Sequence, residues 1–72
     1  SEIVDPLDAA FAISEIQGII VNRGMSTTDL AVELGWKRQQ VEEFLYGVDI
    51  PLLSAFREVA KVLDYNLEIE ED

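Results

Sequence analysis

Apolar positions recur at helical steps in four stretches of the chain, punctuated by Gly24, Gly35 and Gly47. The first stretch, Ala9–Val21, carries Ala9, Ala10, Phe11, Ala12, Ile13, Ile16, Ile19, Ile20 and Val21. That is wider than one amphipathic stripe. Asp5 and Pro6 ahead of it have the chemistry of a helix start, an acceptor for an orphan amide and a ring suited to the first turn, and Asp8 favours the helix dipole. Gly18 inside the stretch costs about 1 kcal/mol of helix propensity relative to alanine, which points to close packing at that position. Asn22-Arg23-Gly24 ends the helix, with Gly24 free to take the left-handed conformation.

Ser26 followed by Asp29 is a Ser-x-x-Asp capping signal for a short second helix whose inner face is Leu30, Ala31 and Leu34. Gly35 stops it. A third helix starts at Lys37 or Arg38 and places Val41, Phe44 and Leu45 at helical spacing, although no Ser, Thr, Asp or Asn caps it. Gly47 stops this helix, and Asp49-Ile50-Pro51 turns the chain into a fourth. There Leu53, Phe56, Val59, Ala60 and Leu63 recur at three- and four-residue steps, the pattern of one buried face, until Asp64-Tyr65-Asn66 breaks it. Tyr65, Leu67 and Ile69 then alternate with Asn66, Glu68 and Glu70. Residues 65–72 read either as a short strand that needs a partner strand from another chain, or as a frayed acidic tail. The whole predicts a single all-α domain over residues 1–72, a compact four-helix bundle with the C-terminal strand as an optional fifth element.

Composition narrows the function. The 72 residues include neither cysteine nor histidine, so thiolate and imidazole chemistry are absent. We expect no catalysis, no metal, no cofactor and no small-molecule substrate from a helical domain of this size. No apolar run is long enough for a membrane span, so a cytoplasmic protein without membrane association is the expectation. The formal net charge is -10. It is concentrated at the ends: Glu2, Asp5, Asp8 and Glu15 precede the first base, and Asp64, Glu68, Glu70, Glu71 and Asp72 follow the last. Between them, acids and bases nearly balance, and Lys37 and Arg38 stand together at the start of the third helix. That pair reads either as a small basic spot for phosphate or as a solvated surface turn.

Residues 16–67 resemble the helix-turn-helix domain of phage repressors, Cro proteins and related Xre-type regulators and antitoxins, a lambda-repressor-like fold. The resemblance rests on Gly24-Met25-Ser26 entering the second helix, Leu30-Ala31 before Gly35, Val41 and Phe44 at six and nine positions beyond that glycine, and then Gly47, Pro51 and the apolar helix Leu53–Leu63. The helix-turn-helix unit is residues 27–47. The spacing has physical sense: Ala31 is small where two helices cross, Gly35 makes the tight turn, and Val41 and Phe44 anchor the third helix. The resemblance implies a transcriptional regulator that binds double-stranded DNA, usually as a homodimer, with the third helix in the major groove. Position by position it implies base reading by Arg38, Gln39 and Glu43 with Lys37 and Gln40 beside them, and phosphate contacts from Thr27 and Thr28. Arg38 suits guanine, Gln39 adenine, and Glu43 the amino group of cytosine. For Gln40 a solvated helix surface is the stronger reading.

The chain also departs from that pattern. Thr27 stands where the family often has glutamine, Lys37 replaces the capping Ser or Thr, and Glu42 and Glu43 put negative charge on the reading helix. Leu45 and Tyr46 occupy positions that the family makes polar, Trp36 sits in the turn, and Ile20, Val21 and Leu52 add further apolar groups. Surplus exposed apolar residues mark interfaces. The alternative function is therefore an acidic protein-binding module on the same fold, antitoxin-like, anti-repressor or inhibitor, that does not bind DNA. Its expected interface is Trp36, Leu45, Tyr46 and the tail residues Tyr65, Leu67 and Ile69. Trp36 and Tyr46 also read as aromatics folded back on the core.

Overall fold

A computed structural model describes residues 2–67 and Ile69. Four helices follow one another: α1 (Pro6–Asn22), α2 (Thr27–Leu34), α3 (Arg38–Leu45) and α4 (Leu53–Leu63). The domain is all-α, as the apolar periodicity predicts. None of the described helices is long and apolar enough to cross a membrane.

Each helix starts where its local chemistry directs. The Asp5 carboxylate accepts from the Leu7 amide at 2.9 Å ahead of Pro6. Ser26 and Asp29 form a reciprocal capping box: the Asp29 amide donates to Ser26 Oγ at 3.0 Å, and the Ser26 amide donates to Asp29 Oδ2 at 2.9 Å. Lys37, the N-cap of α3, has no acceptor in its side chain, so only the returning half of a box forms there. Gln40 Oε1 accepts from the Lys37 amide at 2.8 Å.

All four helices end the same way. A residue in the left-handed region, Gly24, Gly35, Gly47 or Asp64, is followed by an amide that reaches back five residues. After α2 the Trp36 amide donates to the Ala31 carbonyl at 3.0 Å. After α4 the Tyr65 amide donates to the Ala60 carbonyl at 3.0 Å, and Asp64 holds φ 51° without the freedom of glycine.

Two contacts lie outside any local pattern. The segment before α1 runs antiparallel to the entry of α4: the Val4 amide donates to the Pro51 carbonyl at 2.7 Å, and the Leu53 amide to the Glu2 carbonyl at 2.8 Å. The second of these closes the first amide of α4, which has no capping side chain. Val4 is thereby buried. At the other end of α3, Gln17 Nε2 on α1 donates to the Leu45 carbonyl at 3.0 Å, a contact across 28 residues.

Phe56, Ile16, Leu30, Leu63, Val41 and Val59 are the largest fully buried side chains, drawn from all four helices. Phe44 packs on Phe56 with ring centroids 4.8 Å apart, and Trp36 meets the Phe44 ring edge-on at 5.7 Å. No polar or charged residue is buried among the described residues.

Four expectations change. Leu45 is only 5% exposed and belongs to the core, because it stands one turn after buried Val41 on the same face of α3. Ile20 is buried as well, while Val21 and Leu52 are exposed. Gly18 has no close neighbour: a Cβ there would meet nothing within 4 Å, so packing inside this chain does not explain it. The strand is not formed among the described residues. Leu67 and Ile69 lie half-buried on the core, and the Ile69 amide donates to the Leu67 carbonyl at 3.1 Å. Glu68, Glu70, Glu71 and Asp72 lie outside the described residues.

Two glycines should respond oppositely to alanine. Gly18→Ala should raise the unfolding free energy by up to about 1 kcal/mol. Gly35→Ala should lower it by about 1–2 kcal/mol, because φ is 72° and open space around it leaves only the backbone cost. Urea titrations followed by circular dichroism would check both. The capping box sets an acid limit. Backbone and side-chain hydrogen bonds from Ser26 hold the Asp29 carboxyl below the ordinary carboxylate range. Its contribution is then complete above the unfolded-state value and disappears as pH falls through the folded-state value. Asp29→Asn should remove that part of the acid sensitivity, and an unchanged pH profile of the urea midpoint would refute the assignment.

Candidate nucleic-acid interface

Residues 27–47 are held from beneath. Leu30 and Ala31 on α2 and Val41, Phe44 and Leu45 on α3 are buried, and α2 and α3 pack directly against each other. The opposite side of α3 is open. Lys37, Arg38, Gln39 and Gln40 occupy its N-cap and first turn, and all four are exposed. Thr27 is half-buried and Thr28 exposed in the first turn of α2.

Every polar side chain proposed to read bases is engaged within α3. Arg38 Nε bonds Glu42 Oε1 at 2.8 Å, an exposed i,i+4 ion pair. Gln39 Nε2 donates to Glu43 Oε1 at 2.9 Å, one turn away. Gln40 serves its own helix start by accepting from the Lys37 amide. Such surface contacts contribute only about 0.3–0.5 kcal/mol each, so they can exchange for a ligand. Charge is the larger obstacle. Within residues 27–47, Lys37 and Arg38 face Asp29, Glu33, Glu42 and Glu43. The Asp29 carboxylate already sits at the N-terminus of α2, where an anion would otherwise find open amides.

The residues singled out for protein contact separate. Tyr46 is 71% exposed, and Tyr65 is exposed. Trp36 folds back on Phe44 and is half-buried. Leu67 and Ile69 are partly covered, and Leu45 is inside. Large apolar side chains that the sequence reading did not select are also on the surface: Leu7 and Phe11 on α1, Val32 on α2, and Val48 and Ile50 after α3. A groove of about 530 Å³ opens between α3 and α4, with Trp36, Phe44 and Ala55 among its walls. Its α3 wall was legible as the row Trp36, Gln40 and Phe44 at four-residue steps. The α4 wall was not, because only packing brings Ala55 and Glu58 opposite that row.

The chain matches no protein-family model, no curated protein and no solved structure.

Proposed function

We propose that the chain is a non-catalytic helix-turn-helix regulator of transcription that binds double-stranded DNA as a homodimer, in the manner of phage repressors. The observation that carries this reading is the exposed first turn of α3, anchored beneath by Val41, Phe44 and Leu45 and joined to α2 by the tight turn at Gly35. A helix held in that way can enter a major groove, with the first turn of α2 near the backbone. Arg38 would leave Glu42 for guanine, Gln39 would leave Glu43 for adenine, and Glu43 would accept from cytosine. Thr27 and Thr28 would meet phosphate beside Lys37. A cytoplasmic location follows from that role.

A second reading is favoured by a specific observation. The Arg38 charge is neutralised on its own helix, and acids outnumber bases across the unit. Phosphate neutralisation dominates DNA affinity, and each contact adds about 0.9 to the salt slope. An acidic protein-binding module that leaves DNA alone, with Trp36 and Tyr46 at its contact surface, accounts for the same charges.

Gel-shift titration with a random-sequence duplex pool at low salt separates the two. The regulator should shift the pool and select a preferred site. Arg38→Ala should then cost about 1–3 kcal/mol at one base position. Glu42→Gln, which releases Arg38, should tighten binding. No shift at low salt would refute the regulator and leave the protein-binding module.

A further inference from the structure

The groove between α3 and α4 combines an apolar interior with a one-signed rim. Trp36 and Phe44 supply one wall from the α3 side, Ala55 the facing wall on α4, and Ile50 an exposed apolar group at the mouth. The ionisable side chains that line it are Asp49 and Glu58, both carboxylates and both exposed. No lysine or arginine stands among the lining residues. At about 530 Å³ it has the size of a site for one or two side chains of a partner. Tryptophan is among the residue types enriched at the energetic centres of protein contacts.

We propose that this groove takes a cationic apolar peptide segment, one in which an aliphatic or aromatic anchor is flanked by lysine or arginine. The apolar anchor would fill the space against Trp36, Phe44 and Ala55, and the cation would meet Asp49 and Glu58 at the rim. Charge decides the occupant. A second copy of the chain would bring a net charge of -10 against another -10, and an acidic partner would meet the same repulsion. A basic segment gains from both the rim and the field of the whole protein. The proposal goes beyond both functional readings: it rests on the groove's own lining and holds whether or not α3 binds DNA.

Trp36 is the single tryptophan of the chain and lies in the groove, so its fluorescence reports occupancy directly. The probe is a short amphipathic Leu/Lys peptide, with Leu/Glu and Ser/Lys peptides of the same pattern as comparisons. The Leu/Lys peptide should shift Trp36 emission saturably, and the other two should not. Replacing both rim acids, Asp49→Lys with Glu58→Lys, should weaken the Leu/Lys peptide by about tenfold at low salt. These positions are exposed, and circular dichroism would confirm that the variant keeps its helices. The proposal is overturned if Trp36 does not respond, if Leu/Glu binds equally well, if Ser/Lys binds equally well, or if the double replacement changes nothing. Sedimentation with and without the peptide tests the second copy: the mass of the protein should not fall as the peptide binds, and a dimer that the peptide splits would assign the groove to a second copy and also overturn the proposal. The gel shift decides whether the chain binds DNA, and the fluorescence decides the groove, so either idea can fail without the other.

Discussion

Two helices of this domain are too short to stand alone. α2 and α3 have eight residues each, and an isolated helix shorter than about 12–15 residues is marginal in water. They persist because their inner faces are clamped on the core that Ile16 of α1 and Phe56, Val59 and Leu63 of α4 complete. The outward face of α3 exists as a rigid surface only for that reason. Any ligand that reads Lys37, Arg38 and Gln39 reads a helix held in place by Val41, Phe44 and Leu45 from below.

The same shortness makes helix ends matter, since each end leaves several amides or carbonyls without partners. Where the local residues can close an end, they do, as Ser26 and Asp29 do for α2. Where they cannot, distant groups serve. The Glu2 carbonyl meets the first amide of α4, and the Gln17 amide group meets the last carbonyl of α3. These two contacts tie the N-terminal segment and α1 to the helices on either side of the α3–α4 loop. That loop carries Asp49 and Ile50, which border the groove.

Charge divides the surface by task. Arg38 and Glu42 pair within α3, and Gln39 donates to Glu43, both at i,i+4 spacing, so with Lys37 at the N-cap the polar face is close to neutral and its contacts are exchangeable. The groove has no such internal balance, because Asp49 and Glu58 come from different parts of the chain and face no basic lining residue. A neutral polar face and an acidic apolar groove therefore sit on two sides of one short helix. They suit ligands of different chemistry.

Much of the fold is legible in the sequence because it is local. Helical spacing of apolar residues, the Ser26–Asp29 cap and the stops at Gly24, Gly35 and Gly47 place four helices within a residue or two. The exposed start of α3 follows from the same periodicity. The sequence by itself does not say which apolar residues reach the core: Leu45 and Ile20 go inside while Phe11, Val21 and Tyr46 stay out. α1 is apolar almost all round, so its period cannot choose a face. The alternation at Tyr65, Leu67 and Ile69 likewise resembles a strand, yet burial of Leu67 and Ile69 on the helices takes its place. The Val4–Pro51 pairing, the Gln17 bridge and the groove all join residues far apart in the chain. Only the packing of four helices around Phe56 determines them, because local preference cannot specify a contact whose partner lies dozens of residues away.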